Sequence, residues 1–307
     1  MAEPMLAVGY DGKESLEWTT YSFESNRWTI MSSFPELVQN AASSGEKVDY
    51  YSSGGLLFFL LSSYSDYGET KCLVYNPLTK ASRELPLFAR DWLCGAFAIP
   101  IADTEANSYK FMMGDQEHWA RYTSSSDSWD EGSITSVGCL ASGNNGVQCN
   151  DLLFFVVPTM RGHSDLATYN SEKNVWLDTF DYEQMAEVGY HLNNRGYSEH
   201  NRIFEWDGSL FLMTVQDGCI FELDLNTKTW TKRFEMPGTL LAEFEKIQNC
   251  IAKGNRLCVV GSAKTPRYSS LFVVYLKQQD SWKKLEPCPY EKSDGQSFLF
   301  QPSLLSV

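Results

Sequence analysis

Hydrophobic positions in this chain come in short blocks. Six of them read MLAVGY (5–10), LLFFLL (56–61), YKFMMG (109–114), LLFFVV (152–157), LFLMTV (210–215) and LCVVGS (257–262). Each is rich in branched and aromatic residues and bounded by polar stretches, which marks strands rather than helices. The apolarity is continuous rather than alternating, so both faces of each strand are expected to be buried between packed sheets. A further strand precedes several blocks, as in KVDYYS (47–52), GAFAIP (95–100) and RIFEW (202–206). The joining turns SSGG (52–55), WDGS (206–209) and KGNR (253–256) carry the Gly that supplies positive φ in tight hairpins.

A second pattern follows each block. A Tyr or Leu is followed seven positions later by Trp in YSFESNRW (21–28), YTSSSDSW (122–129), YNSEKNVW (169–176), LDLNTKTW (223–230) and YLKQQDSW (275–282). A sixth copy, YNPLTKAS (75–82), has Ser82 at the Trp position. The copies recur at an interval of about 51 residues, and internal periods of that size mean arrays of one repeated unit. Each unit reads as four antiparallel strands, with the apolar block second and the Trp on the outermost.

The prediction is an all-β, six-bladed β-propeller forming a single domain over 1–307. Its blades fall near 1–33 plus 296–307, 46–87, 94–134, 146–179, 201–236 and 247–288. The first unit lacks its own inner strand, and SFLFQPSLLSV (297–307) is expected to supply it. Pairing the two chain ends in this way would close the array and remove its open edges.

The Tyr-x6-Trp units, with Gly9, Gly114 and Gly261 ending their second strands, resemble kelch repeats. CLVYNPLTKASRELP (72–86) is similar to the Asn-Pro-x-Thr-x-x-Trp-x-x-Leu-Pro signature of plant F-box proteins with kelch-like C-terminal domains. Asn76, Pro77, Thr79, Leu85 and Pro86 match it, and Ser82 departs from it. The resemblance implies a kelch-like propeller acting as the substrate receptor of an F-box (SCF-type) ubiquitin ligase. It implies a protein substrate and no catalysis by this chain. Such proteins begin with a helical F-box that docks the ligase adaptor. None is read here, so the adaptor is expected to be reached only through an F-box outside this chain. The alternatives are a kelch-like scaffold unrelated to ubiquitination and a propeller enzyme with a metal or polar mouth site.

Composition narrows the partners. With 25 Lys and Arg against 39 Asp and Glu, the net charge is −14. A chain of that charge without a Lys/Arg cluster is not expected to bind nucleic acid. The longest unbroken apolar runs, Leu56–Leu61 and Leu152–Val157, fall far short of the about 20 residues of a spanning helix, so no membrane partner is expected. The 8 cysteines form no Cys-x-x-Cys pair, and no Asn-x-Ser/Thr acceptor occurs. Both point to reduced thiols in a cytoplasmic or nuclear setting. The 4 histidines, His118, His163, His191 and His200, show no metal-ligand spacing, and no metal or cofactor is expected. Neither a Gly-x-Ser-x-Gly elbow nor a phosphate-binding Gly-x-x-x-x-Gly-Lys loop is present.

Strand parity separates two faces. With strands A to D counted from the inside, the A–B and C–D turns share one edge of each sheet. The B–C and D–A connections share the other. The first set is short and uniform. The second includes SSYSDYGETK (62–71), GDQEHWAR (114–121), PTMRGHSD (158–165), SAKTPRYSS (262–270), FARDW (88–92) and the long stretch 181–201. Irregular loops on a rigid scaffold are where binding usually resides. Their aromatic and cationic residues are the expected partner-binding set: Tyr64, Tyr67, Trp92, Trp119, Arg121, Arg161, Tyr190, Arg195, Tyr197, Arg267 and Tyr268.

Overall fold

In the computed structural model, the described residues are 5–11, 16–30, 34–62, 70–88, 97–103, 106–114, 118–133, 146–158, 164–173, 175–180, 201–265, 270–288, 297–300, 305 and 307. Strand dominates at 63% against 6% helix, and the architecture is that of an all-β propeller. The chain divides into two compact units, Met1–Ser133 with Asp294–Val307, and Ile134–Ser293.

The first unit holds three four-stranded sheets. In one, β1 (Met5–Asp11), β2 (Leu16–Ser22) and β3 (Arg27–Ile30) form a meander, and β24 (Ser297–Phe300) pairs antiparallel with β1. The expected inner strand from the far end of the sequence is therefore in place. The second sheet is β4 (Lys47–Ser53), β5 (Leu56–Ser62), β6 (Lys71–Tyr75) and β7 (Ser82–Glu84). The third is β8 (Phe97–Asp103), β9 (Ser108–Gly114), β10 (His118–Thr123) and β11 (Ser128–Ser133).

The second unit also holds three. They are β12 (Val147–Cys149) to β13 (Leu152–Pro158), β14 (Ser164–Asn170) and β15 (Val175–Phe180); β16 (Asn201–Trp206) to β17 (Ser209–Thr214), β18 (Cys219–Asp224) and β19 (Thr229–Glu235); and β20 (Phe244–Lys253) to β21 (Arg256–Ala263), β22 (Ser270–Leu276) and β23 (Ser281–Lys284). All six apolar blocks form second strands.

The blade count corrects the expectation: it is five, not six. Five sheets are continuous meanders, whereas the sheet of β24, β1, β2 and β3 is assembled from two segments far apart in sequence.

Continuous apolarity has the cause the sequence implied. Along β5, Leu57, Phe59 and Leu61 enter one core cluster with Trp18, Phe34 and Tyr75. Leu56, Phe58 and Leu60 enter another with Tyr109, Phe111 and Tyr122. The strand thus feeds two layers at once. Strand β17 does the same in the second unit: Phe211 and Met213 face one cluster, Leu210 and Leu212 another. Each such side chain contributes about 1.5–3 kcal/mol on burial, so these blocks dominate the stability of their sheets.

Among the described residues, two helices were not expected. Helix α1 (Glu36–Ser43) lies in the connection from β3 to β4 and buries Val38 and Ala41. Helix α2 (Gly238–Leu241) is a single turn between β19 and β20. The A–B turns are as expected where Asp207–Gly208 joins β16 to β17. Both residues have positive φ, as a two-residue hairpin of this hand requires.

Candidate functional site

The repeating Tyr-x6-Trp element is a hairpin device. In every copy the first and eighth residues pair directly across strands C and D: Tyr21 with Trp28, Tyr75 with Ser82, Tyr122 with Trp129, Tyr169 with Trp176, Leu223 with Trp230 and Tyr275 with Trp282. The sixth residue of five copies has positive φ: Asn26, Lys80, Asp127, Lys228 and Asp280. Where it is Asn or Asp, the Tyr hydroxyl donates to it, as Tyr21 to Asn26, Tyr122 to Asp127 at 2.8 Å and Tyr275 to Asp280 at 2.7 Å. Burial and the Asp280 carboxylate push the Tyr275 hydroxyl up to about 12.

The second residue of the copy caps the turn. Asn76 Oδ1 accepts the N–H groups of Leu78 and Thr79, Asn170 Oδ1 those of Glu172 and Lys173, and Asp224 Oδ1 those of Asn226 and Thr227. Those two N–H groups favour the charged form and hold the Asp224 carboxyl below its ordinary value. In two copies the Trp then reaches across to the segment that ends the preceding sheet. Trp129 Nε1 donates to Pro86 O at 2.7 Å, and Trp282 Nε1 to Glu235 O at 3.0 Å. Thus the C–D edge is scaffold.

The Asn-Pro-x-Thr segment belongs to this scaffold. Asn76 is fully buried, and its Nδ2 donates to Leu305 O at 2.8 Å. Thr79 Oγ1 accepts the Ala81 N–H, Leu85 enters the core, and Pro86 supplies the carbonyl for Trp129. Each matched residue other than Pro77 has a structural task.

The opposite edge carries the expected binding set. Tyr64, Tyr67, Trp92, Arg161, Tyr190, Arg195, Tyr197, Arg267 and Tyr268 lie outside the described residues, as do His163, His191 and His200. Trp119 and Arg121 are described, and their placement corrects the expectation. They stand on β10 rather than in a loop, because the connection from β9 is only 115–117. Trp119 is buried and lies against Gly132, where an added Cβ would come 2.7 Å from its ring. Arg121 pairs with Asp130 at 3.0 Å. The sequence signal was misleading because polar Asp115, Gln116 and Glu117 precede them and make the whole segment read as loop.

Sequence reading also missed a pocket of about 360 Å³ at this edge of the second unit. Val215 and Gln216 from the β17–β18 turn, Gly238, Leu241 and Ala242 around α2, Phe244, Glu245 and Ile247 from β20, and Lys264 after β21 line it. The turn is well fixed. Gly218 N–H donates to Thr214 O, and Met236 N–H to Gly218 O, both at 2.9 Å. Burial acts to raise the Asp217 carboxyl, but the Thr214 hydroxyl and the Cys219 N–H outweigh it and its pKa is lowered. The early sign was the apolar pair Leu240–Leu241 in a connection between an outer and an inner strand.

Six described cysteines, Cys72, Cys149, Cys219, Cys250, Cys258 and Cys288, are buried. Burial pushes Cys72 and Cys250 up to about 12, which keeps them protonated and unreactive at neutral pH. Among the described residues no three His, Cys, Asp or Glu side chains gather as a metal-binding group, and no helix is long and apolar enough to cross a membrane.

Fold and edges together define a β-propeller protein with a structural hairpin edge and a variable edge. No protein-family model matches the chain, and no curated protein matches it.

Proposed function

We propose that this chain is a non-catalytic protein-recognition domain built on kelch-like repeats. It binds its partner through the B–C and D–A edge. The observation that carries this reading is the contrast between the edges. The C–D hairpins repeat one bonded four-residue turn, while the opposite connections range from 115–117 to 181–200. A rigid scaffold with variable connections is the arrangement of a binding module. The cations Arg161, Arg195 and Arg267 belong to those connections by sequence.

The more particular reading is the substrate receptor of an F-box ubiquitin ligase in the cytoplasm or nucleus. It rests on the resemblance of 72–86. The structural tasks of Asn76, Thr79, Leu85 and Pro86 favour a second reading as well, a kelch-like scaffold without a ligase connection, since those residues are accounted for by folding alone.

Affinity purification of the full-length protein from its native extract distinguishes them. Recovery of a ligase adaptor with a partner whose ubiquitination depends on this protein supports the receptor reading. Partners without an adaptor support the scaffold. If the triple variant Arg161→Ala, Arg195→Ala, Arg267→Ala keeps every partner, the edge assignment fails.

A further inference from the structure

We infer that the pocket beside α2 binds an extended peptide carrying one large apolar residue with an acidic neighbour. This deepens the recognition reading and rests on it. The floor is apolar, made by Val215, Leu241, Phe244 and Ile247. Phe244 and Ile247 are buried in the core beneath it, so the floor is backed by packed side chains. The walls are held by main-chain bonds: Leu241 N–H to Pro237 O at 3.0 Å, Ala242 N–H to Gly238 O at 2.9 Å, and Lys264 N–H to Glu243 O at 2.9 Å. A preformed site of this kind loses little to ordering when it is filled.

Charge selects the occupant. Gln216, Glu245 and Lys264 stand on the rim. Neighbouring Glu243 is engaged by Lys284. Among the described residues the Lys264 ammonium has no ion-pair partner. A wholly apolar ligand makes no use of this rim, and a simple anion meets Glu245 as well as Lys264. A peptide engages the floor and Lys264 together. Its acidic side chain faces Lys264, its main-chain N–H groups face the Gln216 carbonyl, and its apolar side chain fills the floor.

The test uses an array of N-acetylated, C-amidated decapeptides probed with the purified protein, followed by fluorescence polarisation on the strongest sequence. We expect selection of Leu, Met, Phe or Trp at one position, with Asp or Glu within about two residues of it, the reach of one Lys along an extended chain. Lys264→Glu should weaken that peptide about tenfold and turn the preference toward Lys or Arg, because it reverses an exposed pair rather than removing it. Leu241→Asp should abolish binding while thermal unfolding stays cooperative. Lys228→Glu, in a C–D hairpin, should change nothing. An array without apolar selection overturns the inference, and so does a Lys264→Glu variant with an unchanged charge preference. Native partners that bind both pocket variants normally remove the pocket and leave the recognition reading intact. Absence of any native partner removes both.

Discussion

Gly261 shows how closely single residues are constrained. A Cβ there would sit 2.1 Å from Lys246 O and 2.8 Å from the Phe244 ring. The close approach comes from β20, whose pairing with β21 shifts register between Phe244 and Lys246 and again between Ile247 and Asn249. An irregular strand presses its backbone into its neighbour, and only a residue without a side chain admits it. Gly114 answers the same need, with His118 O at 2.5 Å from its would-be Cβ. These are two of the glycines that the repeat pattern marks at the ends of second strands. Gly261→Ala should destabilise the protein by about 1–3 kcal/mol, the usual cost of overpacking. Gly238→Ala is the control, since nothing lies within 4 Å of its would-be Cβ. Urea unfolding midpoints would separate the two, and an unshifted midpoint for Gly261→Ala would contradict the packing argument.

At the scale of the element, the C–D hairpin joins local and tertiary structure in one motif. In three copies the Tyr hydroxyl fixes the left-handed residue of its own turn, and in two the Trp indole crosses toward the preceding sheet. Trp282→Phe keeps an aromatic ring beside Tyr275 and Phe234 but removes the bond to Glu235 O. It should cost about 1 kcal/mol, the net worth of one such bond. Hydrogen exchange should quicken at the end of β19. Equal exchange in variant and parent would mean the bond carries no inter-sheet load. This motif was legible because its spacing is set by the turn: four loop residues between paired positions leave no freedom for insertions. The second strands were legible for a similar reason, since two buried faces demand unbroken apolarity. Helix α1 was not, because its eight residues carry only two buried apolar positions and no side-chain cap. Trp119 and Arg121 were misplaced because a three-residue connection between strands has the same polarity as a long loop. The pocket beside α2 escaped notice because its lining comes from three separate segments between Val215 and Lys264, and no local pattern joins them.

For the molecule as a whole, the decisive contact is between the two ends of the chain within the first unit. Strand β24 pairs with β1 from Met5 opposite Phe300 to Val8 opposite Ser297. Leu305 is buried in the same core cluster as β5 and β9 side chains, and its carbonyl receives the Asn76 amide. The β24–β1 pairing joins positions far apart in sequence, so it costs more chain entropy to form than any hairpin in the same unit. It also covers the edge of β1, which bare would offer unpaired N–H and C=O groups to a second molecule. Deleting residues 297–307 therefore removes more than four strand positions. It exposes β1, opens a cavity where Leu305 packs, and leaves the fully buried Asn76 amide without its acceptor, a loss of about 1–3 kcal/mol by itself. Hydrogen exchange of the truncated protein should show protection lost through β1–β3 and the β6–β7 hairpin, with self-association visible by light scattering. Adding a synthetic peptide of residues 297–307 should restore that protection. Full protection without the peptide would show instead that the three-stranded remnant stands alone and that joining the chain ends contributes nothing to stability.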